Sequence, residues 1–110
     1  MKLVVAILSS ADLDQLLRKL AAKGYRATVV DQRGGGLRRG NVTLLIGVQE
    51  ALVSDVLRLI RDLCHIRRSF VNPAVPMVEP GEFFVSQPVE TVEGGAVCFV
   101  LNIERYERIG

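Results

Sequence analysis

Leu3-Val4-Val5-Ala6-Ile7-Leu8 is a run of six aliphatic residues in which both alternating sets of side chains are apolar: Leu3, Val5 and Ile7, and Val4, Ala6 and Leu8. Successive side chains of a strand point to opposite faces. A strand built from this run therefore needs apolar cover on both sides, as a central strand has. Ala96-Val97-Cys98-Phe99-Val100-Leu101-Asn102-Ile103 makes the same demand later in the chain. The first run is far shorter than the roughly 20 residues of a membrane-spanning helix. It also falls short of the about 7–15 apolar residues of a signal peptide, and an amphipathic pattern follows it in place of a small-residue cleavage site. No membrane span is expected, and the chain reads as cytoplasmic.

The chain has 110 residues, enough for one domain, and a domain of this size buries only about 65% of its unfolded surface. Hydrophobic residues make up 49% and aromatic residues 5%, with no Trp, so aliphatic side chains carry an apolarity incompatible with a disordered chain. One small core has little room for them all. Cys64 and Cys98 are single, far apart and set in apolar runs, which reads as two buried thiols in preference to a disulfide or a metal pair. The formal charge of +2 selects no partner, but eleven of the fourteen basic residues are Arg, whose planar fork suits phosphate and carboxylate.

After the first strand, Ser9 and Ser10 are placed to cap a helix whose apolar face is Leu13, Leu16, Leu17, Leu20 and Ala21. Asp12 and Asp14 begin it, Lys19 and Lys23 end it, and Gly24 suits the residue past its last turn. Tyr25 to Asp31 alternates as a strand does. Residues 32–40 (Gln-Arg-Gly-Gly-Gly-Leu-Arg-Arg-Gly) hold four of the ten glycines and three arginines and read as a loop. Asn41 to Val48 is a further strand, interrupted by Gly47. A second helix then presents Leu52, Val53, Val56, Leu57, Ile60, Leu63 and Cys64 on its apolar face. Residues 66–93 contain all four prolines, as expected of a long flap, binding loop or irregular hairpin.

Strand, helix, strand, strand, helix, strand is the ferredoxin-like βαββαβ order, an α+β fold with an antiparallel sheet and both helices on one face. Two helices leave the other apolar face bare. Soluble monomers rarely expose such a patch, so a closed homo-oligomer in which sheet packs on sheet is expected.

Catalytic chemistry finds little support. His65 is the only histidine, and on a helix its neighbour Cys64 diverges from it by about 100°. Ser9 and Ser10 have no base indicated nearby and read as caps. Asp12 and Asp14, two apart on a helix, do not converge, and metal-ligand spacing is absent. The glycine-rich segment is more informative. Consecutive glycines can aim backbone N–H groups at an anion, with Arg33, Arg38 and Arg39 adding charge, but the spacing matches neither a P-loop nor a dinucleotide fingerprint. A flexible hairpin tip and an RNA-binding arginine–glycine segment remain alternatives, the latter without the aromatics that stack bases.

Arg26-Ala27-Thr28, then Gly34-Gly35-x-Leu37-Arg38-x-Gly40-Asn41-x-Thr43-Leu44-Leu45-x-Gly47, resemble the signature of the cyclic di-AMP receptor family, the small PII-like signal transduction proteins. Pro73-x-x-Pro76-Met77, Pro88-Val89-Glu90 and Val92-x-Gly94-Gly95-Ala96-x-x-Phe99-Val100 extend the resemblance to about residue 105. It implies one PII-like domain over residues 1–110 forming a homotrimer without catalytic activity. It would bind cyclic di-AMP between subunits, without cofactor or metal, and relay binding through its loops to a protein target. By position, Arg26, Ala27, Thr28, Gly35, Gly36, Leu37, Asn41, Gly47 and Phe99 would line the pocket. Gly36 stands where the family usually has Phe, and Gly24 where Asn is frequent. The arginines of the loop fit a more anionic nucleotide such as ATP equally well.

Overall fold

The computed structural model describes residues 1–30, 40–71 and 89–110. A four-stranded sheet is formed by β1 (Lys2–Ser9), β2 (Ala27–Val30), β3 (Asn41–Val48) and a last strand, Ala96–Asn102, in the order β2, β3, β1, last strand. Every neighbouring pair is antiparallel. Two helices, α1 (Leu13–Ala22) and α2 (Val53–Leu63), are each entered through a 3₁₀ turn, Ser10–Asp12 and Glu50–Leu52. This is the expected α+β, ferredoxin-like arrangement. The span 66–93 adds β4 (Arg67–Val71) and β5 (Val89–Glu93), paired with each other as a separate two-stranded ladder. The last strand is therefore β6. The four prolines had marked this span as a flap, binding loop or irregular hairpin, and its ends pair as an antiparallel ladder.

The core lies between the helices and one sheet face. Val4, Ala6 and Leu8 of β1 and Val42, Leu44, Ile46 and Val48 of β3 are buried, with Leu16 and Leu20 of α1 and Val56, Ile60 and Cys64 of α2 or its end packed on them. The alternation of each strand thus sends one set of side chains into this core. Leu52 departs from the helical pattern: it sits in the 3₁₀ turn ahead of α2 and is exposed. The Ser9 hydroxyl accepts from the Ala11 N–H, capping the first turn as expected. Gly24 ends α1 with φ +81°, a left-handed conformation that glycine adopts without steric cost.

Both cysteines are free. Cys64 is buried, and burial, with Asp12 and Cys98 nearby, pushes its thiol up to about 11. Cys98 is only half-buried, a correction to the sequence reading, because its edge strand is incompletely covered by α2. Asp12 also departs from expectation. It is buried, with Oδ1 3.1 Å from Arg67 Nη2, whereas its Oδ2 meets no hydrogen-bond partner among the described residues. The pair fastens the start of β4 to the N-terminal end of α1.

Candidate functional site

Among the described residues, no helix packs on the opposite sheet face. Strand register puts Phe99, Val5, Leu45 and Thr28 in one row across it, because Val5 pairs with both Phe99 and Leu45, and Leu45 with Thr28. Neighbouring rows bring Leu3 beside Leu101 and Gly47, and Ile7 beside Val97 and Thr43. Val97, Phe99 and Leu101 are about half exposed, at 54%, 51% and 49%.

At the end of this face near Gly47 lies a cavity of about 550 Å³. Its wall brings together three of the residues expected to bind ligand, Arg26, Thr28 and Gly47, over an apolar floor that includes Leu3 and Leu45. Arg26 and Thr28 are exposed, as groups awaiting a ligand would be. Gly47 stands exposed in a strand whose neighbours on either side, Ile46 and Val48, are buried, so the backbone itself is presented to the cavity. The chemistry is that of an anion-pairing guanidinium, a hydroxyl and bare peptide groups beside apolar side chains, suited to a ligand with both phosphate and a flat apolar base.

The remaining expected residues are distributed differently. Ala27 pairs with Ile46 and its side chain packs against the core, so only its backbone is available to a ligand. Phe99 lies three strands from Thr28, about 14 Å at ordinary strand spacing. Asn41 begins β3, six residues from Gly47 and on the same face, about 20 Å away along the strand. Gly35, Gly36 and Leu37, with Arg33, Arg38 and Arg39, lie outside the described residues. The cavity therefore gathers part of the set, and the sheet face that no described helix covers carries Phe99 and Asn41.

Residues not anticipated from sequence, among them Tyr25, Gln49, Ile103 and Tyr106, also line the wall. Tyr25 adjoins Arg26 and could have been found by that adjacency. Tyr106 sits in a charged segment that reads simply as surface. The Tyr25 hydroxyl donates to Asp55 Oδ2 at 2.6 Å, and Lys23 Nζ lies 3.0 Å from Oδ1. The Tyr25 hydrogen bond, then Lys23, holds the Asp55 carboxyl below its ordinary value. The same bond, together with burial and the adjacent negative charge, raises the Tyr25 phenol. This cluster ties the residue before Arg26 to α2 and so fixes where Arg26 leaves the chain.

A second cavity, about 440 Å³, lies between α2 and β6 and is lined mainly by apolar side chains such as Leu57, Ile66 and Val100. Among the described residues, none of those expected to bind ligand lines it. Among the described residues, no three His, Cys, Asp or Glu side chains gather as a metal site would require, and no helix is long and apolar enough to cross a membrane.

The fold is similar to that of a solved structure described as a functionally unknown protein from Pediococcus pentosaceus ATCC 25745. The two share 32% sequence identity and a TM-score of 0.73, over 98% of this chain and 96% of the other. A family model described as cyclic-di-AMP receptor matches residues 1–109. With the match running through every strand and helix and through all the residues of the cavity wall, the chain belongs to the cyclic-di-AMP receptor family.

Proposed function

We propose that this protein is a non-catalytic, PII-like signal transduction protein that binds cyclic di-AMP between the subunits of a homotrimer. Binding is relayed to a protein target through rearrangement of the segments 32–40 and 66–93. The observation that carries this reading is the division of the expected residues. Arg26, Thr28 and Gly47 share a cavity, while Phe99 and Asn41 stand about 14–20 Å away on an apolar face that itself needs cover. A neighbouring copy packed on that face supplies the residues that the cavity lacks and buries the surplus aliphatic side chains in one step. Arg26 then pairs with a phosphate, Thr28 and Asn41 hydrogen-bond adenine or ribose, and Phe99 forms an apolar wall. The free thiols suit a reducing compartment, the cytoplasm.

Calorimetric titration with cyclic di-AMP, cyclic di-GMP and ATP tests it. Binding of cyclic di-AMP in preference to the other two is expected, and failure to bind it at high micromolar concentration would overturn the proposal. Preference for ATP would instead assign the site to a more anionic nucleotide, which the arginines Arg33, Arg38 and Arg39 would suit.

A further inference from the structure

The segment after β6 returns to the cavity end of the sheet. The Ile103 N–H donates to the Met1 carbonyl at 3.2 Å, holding the chain beside the start of β1. Ile103 and Tyr106 then join Arg26, Thr28 and Gly47 in lining the cavity. On either side of the tyrosine, Arg105 and Glu107 are bonded to each other, with Arg105 Nε 3.0 Å from Oε1, so the backbone that carries the ring is braced locally. Tyr106 is 66% exposed, and its hydroxyl meets no partner among the described residues.

Tyr25, Phe99 and Tyr106 are the aromatic residues among the described side chains. Tyr25 is held by Asp55, and Phe99 lies on the far edge strand. Tyr106 alone of the three combines a place at this cavity with an unengaged ring. An aromatic face recognises any planar base without needing a hydrogen-bond match, and the nearby Arg26 supplies charge for a phosphate.

We infer that Tyr106 is a ligand-binding residue that stacks on a base of the nucleotide seated in this cavity; the inference rests on the cyclic di-AMP reading above. The segment that carries it is then part of the site, and the base lies between the apolar floor at Leu3 and Leu45 and the tyrosine ring.

The chain has no Trp, so Tyr106→Trp introduces a single indole at the position in question. Wild type, Tyr106→Ala, Tyr106→Phe and Tyr106→Trp are titrated with cyclic di-AMP by calorimetry, and the emission of the Trp variant is followed in parallel. Tyr106→Ala is expected to weaken binding about ten- to a hundredfold, while Tyr106→Phe, which keeps the stacking face, stays within about twofold of wild type. The indole emission is quenched with the same midpoint as the calorimetric titration. Wild-type affinity in Tyr106→Ala, or unchanged indole emission at saturation, would overturn the role of Tyr106 while leaving the ligand reading in place. Absence of binding by the wild type overturns the ligand reading and the stacking role with it.

Discussion

Tyr25, Asp55 and Lys23 show how a side-chain cluster sets where a neighbouring residue of the cavity wall is held. The Tyr25 hydroxyl donates to Asp55 Oδ2 and the Lys23 ammonium to both Asp55 oxygens, and Arg26 follows Tyr25 directly in sequence. Because the folded state lowers the Asp55 pKa below the ordinary 3.8, its contribution to stability is complete above that value. The contribution is lost as pH falls through the lower, folded-state value. Tyr25 behaves oppositely at the other end of the scale: its raised pKa favours the folded state below its ordinary value of 10.0, and that contribution fades as pH rises through the folded-state value. Melting temperatures measured from neutral pH down to about pH 2 should therefore fall more steeply for wild type than for Asp55→Asn in the acid limb. Parallel curves would show that the cluster does not discriminate between folded and unfolded chains. Individual residues were unevenly legible in the sequence. Arg26, Thr28 and Gly47 fall within a recognisable motif, and the structure brings the three to one cavity wall. Asp12 read as a helix-start decoration, since its burial depends on Arg67 arriving from β4, a contact that no local pattern encodes. Tyr106 was hidden because a tyrosine among charges reads the same whether or not a cavity lies beneath it.

At the level of elements, the period of the apolar residues decided what could be read. The strands β1, β3 and β6 and both helices have strong alternating or helical patterns, and the structure places them within a residue or two of their expected bounds. The ladder of β4 and β5 lacks such a pattern, and its existence depends on cross-strand pairing and on two glycines that follow it. Gly94 and Gly95 have φ of +84° and +78° and pass close to the link between α2 and β4. A Cβ on Gly94 would lie 2.4 Å from the His65 carbonyl oxygen, whereas one on Gly24, at φ +81°, would meet nothing within 4 Å. The two positions separate backbone strain from collision. Gly24→Ala should cost only the left-handed penalty, about 1–2 kcal/mol, and lower the melting temperature by roughly 4–8 °C per kcal/mol. Gly94→Ala carries the same penalty and a backbone clash that cannot relax by side-chain rotation, so its drop should be clearly larger. Equal drops in thermal denaturation would mean that the turn between β5 and β6 is free to shift, and that the approach to His65 does not anchor the ladder.

For the whole molecule, the two-sided apolarity of β1 resolves into one face that is buried by helices and one that no described helix covers. Val5 sits in the middle of the uncovered face, flanked by Leu45 and Phe99. At its border β6 is an edge strand of seven residues, apolar along almost its whole length, with one side of its backbone unpaired among the described strands. An exposed edge of that kind is a site at which further chains associate, and monomers rarely leave a contiguous apolar face of this extent in water. The proposed homotrimer answers both, since sheet packs on sheet around a closed axis and no growing edge is left. It also makes assembly and ligand binding inseparable, because Phe99 and Asn41 reach a neighbour's cavity only when that face is covered. Val5→Asp tests the whole construction: its side chain points away from the helix-covered core, so the subunit's own packing is spared, yet in the assembly the new carboxylates would be buried without partners. Sedimentation should give a trimer for wild type and a smaller species for Val5→Asp, which should also lose cyclic di-AMP binding. Val29→Asp, on the helix-bearing side where Val29 is already 38% exposed, should leave both unchanged. A well-folded wild-type monomer that binds the ligand would refute an intersubunit site, and would leave the bare sheet face to be explained by some other partner.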